Sequence, residues 1–277
     1  MGEALAVLMN RQRKPLSLAA FSVAVFVFLY SPIVILILYS FNADGVGGFP
    51  PRHFTISWYR MLLDDASIWI AVGNSFLVAS AAVLIALLVG TPAALALDRA
   101  SFPGKAVFRR LVLLPLILPG IITGLSLLML FVAVDTPLSL LTITFGHGTA
   151  LIAVATTEIF AGLQKLGPEQ EEAALDLGAN HWQTFFHVTL PNLRLPIIAA
   201  ALLIFTLSMD EIAVSFFLAG RENTLPLEIW SRLRRGITPE INAISTIILV
   251  VSLAMILLWY HLRARVESAS MSDLQTE

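Results

Sequence analysis

Long apolar runs alternate with short polar segments along the whole chain. The runs lie near Leu18 to Ser40, Trp69 to Leu97, Val107 to Val134, Leu138 to Ala161, Leu195 to Ala219 and Asn242 to Leu262. Each reaches the roughly 20 residues that a helix needs to cross a hydrocarbon core about 30 Å thick, where only internally hydrogen-bonded backbone is tolerated. The pattern therefore predicts an all-α membrane protein with six transmembrane helices, forming one domain over 18–262. A cytoplasmic N-terminus (1–17) precedes it and a polar tail (263–277) follows. Asp135 to Pro137 is too short for more than a tight hairpin between the third and fourth spans.

Composition agrees with this reading: 57% of the 277 residues are hydrophobic and 13% charged, against the roughly 45–50% apolar content of soluble domains. Positive residues are retained on the cytoplasmic side. With both termini inside, eleven of the 17 Lys and Arg fall on cytoplasmic segments, a moderate bias. The first run is longer than a signal-peptide core and no small-residue cleavage site follows it, so it reads as an uncleaved anchor. The absence of cysteine excludes disulfides, cysteine-ligated zinc and thiol nucleophiles. A net charge of −2 gives no sign of nucleic acid.

The segment 162–192 stands apart. Pro168 suits the start of a short helix whose Glu169, Glu171 and Glu172 sit near the positive helix terminus. Gly178 supplies a left-handed stop, Asn180 an N-cap, and Trp182, Phe185, Phe186 and Thr189 recur at helical spacing before Pro191 closes the unit. Read alone, such a hairpin either lies on the membrane surface or receives a partner. Its residues Glu172-Ala173-Ala174, then Gly178 after three more, then Val188-Thr189-Leu190-Pro191, resemble the EAA loop of ABC importer permeases. That resemblance implies the type I ABC importer permease fold with a cytoplasmic coupling helix, Glu172, Ala173, Ala174, Gly178, Leu190 and Pro191 serving contact with the ATPase. It also implies an inner-membrane location and three partners: an ATP-binding subunit dimer, a second permease subunit and an extracytoplasmic binding protein. The chain contains no Gly-x-x-x-x-Gly-Lys-Ser/Thr, so no cofactor is expected in it and ATP-Mg is expected on the partner. On this reading Gly178→Asp uncouples transport because a side chain clashes at the turn.

Similarity across nearly the whole chain points to the spermidine/putrescine (PotC-like) branch, whose second permease would be a PotB-like heterodimer partner. It is carried by Tyr39-Ser40-Phe41-Asn42, Ser57-Trp58-Tyr59, Leu118-Pro119-Gly120-Ile121-Ile122-Thr123-Gly124 and Phe205-Thr206-Leu207-Ser208-Met209-Asp210-Glu211. Asp210 and Glu211 lie roughly 20 Å into the fifth run at 1.5 Å per residue. An acid there costs on the order of 2.5–3.5 kcal/mol and normally faces a cavity or a partner. A cationic cargo is one such partner; an arginine or hydroxyl on a neighbouring helix is another. On a continuous helix Asp210 aligns with Thr206, and Glu211 with Ser208 and Ser215. Glu158 is either a weaker pathway acid or a solvated one, and Trp58 and Tyr59 either stack on an alkyl-ammonium chain or anchor the interface. One position departs from the branch: Gly120 follows Pro119 where an acid is frequent. The same machinery serves other small amines, amino-phosphonates, opines and iron. The Arg-rich loop Gly220 to Ile241 reads as an outer surface helix that docks the binding protein or meets lipid headgroups. A membrane-embedded enzyme needs clustered ligands or nucleophiles that His147, His181 and His187 do not supply. A secondary transporter or channel has no use for the 162–192 segment.

Overall fold

The computed structural model describes residues 16–45, 50–236 and 238–254. Among them the backbone is helical apart from turns and one antiparallel bridge, Asn42 with Phe54. In chain order the helices are α1 (Leu16–Ser40), α2 (Ser57–Leu63), α3 (Ala66–Arg99), α4 (Lys105–Ile117), α5 (Gly120–Ala133), α6 (Leu140–Leu166), α7 (Glu169–Asp176) and α8 (His181–Thr184). A π-helical turn (Phe185–Thr189) leads to α9 (Leu190–Met209), followed by α10 (Ala213–Leu218) and α11 (Leu225–Arg235). The last, α12, is Pro239–Ala254. They form two compact units, one of residues 66–231 and one of the described residues on either side of it.

In the 66–231 unit the core is α3 against α6, with α9 packed on both. The buried stripe of α3 is mostly small: Ala71, Ser75, Ala79, Ala82, Ala86, Gly90 and Ala94 recur every three or four residues. Small side chains let membrane helices approach closely, where van der Waals contact rather than the hydrophobic effect holds them. Ala155, Ile159 and Leu163 of α6 and Leu193, Ala200 and Ile204 of α9 complete the cluster, all fully buried. Large apolar side chains such as Leu84 and Leu88 on α3 and Leu195 and Leu202 on α9 point outward, as a lipid- or partner-facing surface requires.

In the flanking unit, α1 is exposed over its apolar window. Its C-terminal end is pinned by Ser40 Oγ to the Tyr59 hydroxyl at 2.6 Å and by Trp58 Nε1 donating to the Asn42 carbonyl at 2.9 Å. Arg232 at the end of α11 pairs with Asp65 at 2.8 Å and with Glu240. Arg234 and Arg235 remain exposed.

Three expectations change. Among the described residues four helices are long and apolar enough to span, Leu18–Ser40, Ala66–Arg99, Leu140–Leu166 and His181–Met209, and five if α4 and α5 count as one. Of the six runs expected to be continuous, the third and the fifth are broken. The third run bends by 107° between α4 and α5, because Pro115 and Pro119 remove amides from the helical ladder and Leu118 turns extended (φ −75°, ψ 131°). The fifth run breaks after Met209, and the last part of the sixth, 255–262, lies outside the described residues. Finally, Pro191 does not close the hairpin. The helix runs on from His181 to Met209, with Leu190 N–H reaching back five residues to the Phe185 carbonyl. The wider π-helical turn absorbs the proline that follows it.

Candidate functional site

Two places in the 66–231 unit bring functional residue types together. At one end of the α3–α6–α9 core lies the hairpin formed by α7, the Leu177–Asn180 turn and α8. The turn closes as its residues dictate. Gly178 stands at φ +90°, a backbone conformation costly for any residue with a β-carbon. Asn180 accepts a hydrogen bond from Gln183 N while the Gln183 side chain accepts one from Asn180 N, each 2.9 Å, a reciprocal cap. The steric argument for Gly178→Asp does not hold: nothing lies within 4 Å of a β-carbon built there. The constraint is backbone conformation, and the open space belongs to an outward face. Glu172 and Ala173 are exposed on α7, Leu177 is 90% exposed and Trp182 73%. Ala174, Gly178, Thr184 and Val188 line a shallow groove between the two limbs.

The hairpin is tied to the core by a residue that the motif does not include. Glu171, next to the exposed Glu172, points inward. It accepts hydrogen bonds from Arg99 Nε at the end of α3 (2.9 Å) and from Thr189 Oγ1 before α9 (2.9 Å). Arg99 also donates to the Gly167 carbonyl at 2.8 Å and pairs with Asp98, to which Gln164 of α6 also donates. Asn192 of α9 donates to Gln170 at 3.0 Å. Spans α3, α6 and α9 thus converge on α7 through one charged cluster. Leu190 and Pro191 form the first turn of α9 rather than the hairpin itself.

The second place is where two broken helices meet. Asp210 caps α9, exposed, with non-helical backbone (φ −104°, ψ 1°). Glu211 is half-buried, and its Oε1 accepts from Val214 N at 2.9 Å, closing the first turn of α10. Among the described residues only that oxygen of the carboxylate is engaged. The break separates the two acids from the helical register expected of them, so Glu211 does not share a helical face with both Ser208 and Ser215. The other break, at Leu118-Pro119, lies directly opposite: a β-carbon at Gly120 would stand 3.3 Å from Ala213 Cβ and 3.5 Å from Glu211 Oε1. Gly124, one turn on, lets α5 close against α10, since a β-carbon there would meet Phe217 at 3.0 Å and the Val214 backbone at 3.1 Å. Gly120 therefore leaves room for the carboxylate of Glu211.

Ser208 is buried in the core, where its Oγ lies 2.7 Å from His147 Nδ1. Glu158 lies eleven residues beyond His147 on α6, roughly 16 Å along the axis, and does not join Glu211. Trp58 and Tyr59 belong to the flanking unit and are committed to the α1 end described above. The residues that sequence reasoning missed are Arg99, Glu171 and His147. The available signal for His147 was an ionisable side chain within an apolar run, which normally marks a function.

Comparison with known proteins adds to this geometry. Residues 86–269 match the family model of the binding-protein-dependent transport system inner membrane component. The chain is 39% identical over 263 residues to the putrescine transport system permease protein PotI of Escherichia coli K12, covering 90% of this chain and 92% of that one. It is 36% identical over 239 residues to the spermidine/putrescine transport system permease protein PotC of the same organism, covering 86% and 90%. The Haemophilus influenzae PotC is 36% identical over 240 residues, covering 86% and 93%. Among solved structures, a bacterial ABC transporter involved in the import of the acidic polysaccharide alginate superposes with a TM-score of 0.65 at 20% identity. That match covers 88% of this chain and 95% of the other and shows the fold alone.

Proposed function

We infer the role of this chain from the family it belongs to, the binding-protein-dependent transport system inner membrane components, and from the joint of two broken helices at Gly120 and Glu211. It is a permease subunit of an ABC importer, a transport component rather than an enzyme. The cargo is a polyamine, putrescine or spermidine. The observation that carries this is the Glu211 carboxylate, half-buried where α5 and α10 start and with one oxygen unengaged among the described residues, in a chain whose relatives are putrescine and spermidine/putrescine permeases. A carboxylate there offers an ammonium group a charge-assisted hydrogen bond, shorter and about twice as strong as a neutral one. Asp210, exposed beside it, adds a second negative charge for the far end of a diamine.

The partners follow from the same reading. A dimer of ATP-binding subunits carries ATP-Mg and takes the exposed apolar residues Leu177 and Trp182 with Glu172 into its surface. A second, PotB-like permease completes the pathway, and an extracytoplasmic binding protein delivers the cargo. Both termini then lie in the cytoplasm. Calorimetric titration of the cognate binding protein with polyamines, amino acids and amino-phosphonates tests the cargo. Tight binding of putrescine or spermidine alone supports it, and selective binding of an anionic or zwitterionic ligand contradicts it.

In this frame the Arg99–Glu171–Thr189 cluster links the ATPase-facing hairpin to the spans. Hydrogen bonds to charged groups contribute about 1.5–3 kcal/mol each when well shielded, and both partners are mostly buried, Arg99 25% and Glu171 16% exposed. Arg99→Ala is expected to lower cargo transported per ATP hydrolysed several-fold. Parallel assays of uptake and phosphate release check this, and an unchanged ratio removes the cluster from the coupling path.

A further inference from the structure

The fifth apolar run is interrupted at Asp210–Ile212, and two helix ends joined by a break need something to fix the angle between them. The holder is on another helix. His147 of α6 is 1% exposed, and its two ring nitrogens reach opposite sides of the break: Nδ1 lies 2.7 Å from Ser208 Oγ in the last turn of α9, and Nε2 lies 2.9 Å from Ser215 Oγ in α10. Both serines are buried. Ser215 Oγ in turn donates to the backbone carbonyl of Glu211 at 3.0 Å. A hydroxyl has one proton to give, so Ser215 accepts from His147. Ser208 Oγ has no other acceptor among the described residues, so the chain of bonds runs from Ser208 O–H to Nδ1, from Nε2–H to Ser215 Oγ, and from Ser215 O–H to the Glu211 carbonyl. It requires a neutral imidazole protonated on Nε2. On the same helix Thr142 Oγ1 bonds the Leu218 carbonyl at the far end of α10 (2.8 Å). Gly146 admits Val214 and Leu218 at its surface.

We propose that His147 is the positioning residue of the passage. It splints α9 to α10 across the break and holds the Glu211 backbone, so that the carboxylate stays opposite Gly120. The splint stands on the geometry alone; its consequence for cargo rests on the reading of Glu211 given above. Losing the imidazole leaves the buried Ser208 hydroxyl without its partner and Ser215 with the Glu211 carbonyl alone, and frees the angle between α9 and α10, while α10 keeps its packing against α5, α6 and Val78 of α3.

The chain has no cysteine, so spin labels can be placed without altering a native thiol. Labels at exposed Leu195 on α9 and Phe216 on α10, twenty-one residues apart and roughly 30 Å along an unbroken helix, report the joint in the assembled transporter by pulsed electron resonance. A single narrow distance distribution is expected in the parent, and one at least about twice as broad in His147→Ala. Ser208→Ala removes the one bond to Nδ1, Ser215→Ala removes both the bond to Nε2 and the bond to the Glu211 carbonyl, and each keeps the imidazole, so they carry the test if His147→Ala fails to assemble; each is expected to broaden the distribution. Distributions as narrow as the parent's in both serine variants overturn the splint. A second readout is specific to the imidazole. In transporter labelled with 15N-histidine, the resonances lost in His147→Gln are expected to be those of a neutral ring protonated on Nε2, and an Nδ1-protonated or charged ring overturns the assignment. Glu211→Gln uptake separates the two readings. Broadening in the splint variants with unchanged Glu211→Gln uptake removes the cargo contact and keeps the splint, whereas parent-like widths with defective Glu211→Gln uptake do the reverse.

Discussion

Gly178→Val is expected to leave the transporter assembled in the membrane while lowering uptake and cargo-stimulated ATP hydrolysis by about tenfold or more. At φ +90° a β-branched residue is a genuine outlier, and the left-handed region costs an ordinary residue roughly 1–2 kcal/mol. A difference of about 1.4 kcal/mol is a factor of ten. Since no atom lies within 4 Å of the new β-carbon, the chain relieves the strain by re-forming the Leu177–Asn180 turn rather than by unfolding. That turn fixes where the exposed Leu177 and Trp182 stand relative to α7. Gly178→Asn is the control, because asparagine visits this backbone region more readily than other side chains, and it is expected to keep most of the activity. Binding-protein-stimulated ATPase measured for both variants checks the account; a Val variant as active as the Asn variant contradicts it.

Glu211→Gln is expected to reduce polyamine uptake by about 10- to 100-fold, the span that corresponds to the roughly 1.5–3 kcal/mol of a hydrogen bond to a charged group. The glutamine carbonyl can still accept from Val214 N, so the first turn of α10 is kept and only the charge is lost. Asp210→Asn, at an exposed position, is expected to have a smaller effect because solvent screens it. Initial rates at saturating and limiting cargo check both.

Much of the helical layout could be read from hydropathy because apolar runs report which segments prefer hydrocarbon. Backbone continuity is a separate property, and the same runs are silent on it. The stretch 107–134 is mostly apolar beyond Arg110, yet the prolines at 115 and 119 divide it at a bend of 107°. The stretch 195–219 is apolar on both sides of Asp210 and Glu211 and breaks there with no proline at 210–212. Its break is held from α6, by a histidine 61 and 68 residues away from its two serines, and no local pattern encodes such a pairing. The hairpin end was more legible because its determinants are local: a glycine with positive φ and an asparagine cap lie within three residues of each other. Even there, motif spacing drew attention to Glu172, whereas the inward carboxylate is Glu171. Which of two adjacent acids faces the core depends on where Arg99 of α3 arrives, a tertiary fact.

The most direct test of a cation-carrying permease driven from the Glu172–Gly178 hairpin is vectorial uptake of labelled putrescine or spermidine. It uses proteoliposomes holding the complete transporter, ATP-Mg on the ATPase side and the binding protein on the other. The account predicts accumulation against a gradient that needs both ATP and binding protein and falls by at least about tenfold with Glu211→Gln. Accumulation without ATP, or undiminished uptake by the Glu211→Gln transporter, would contradict it.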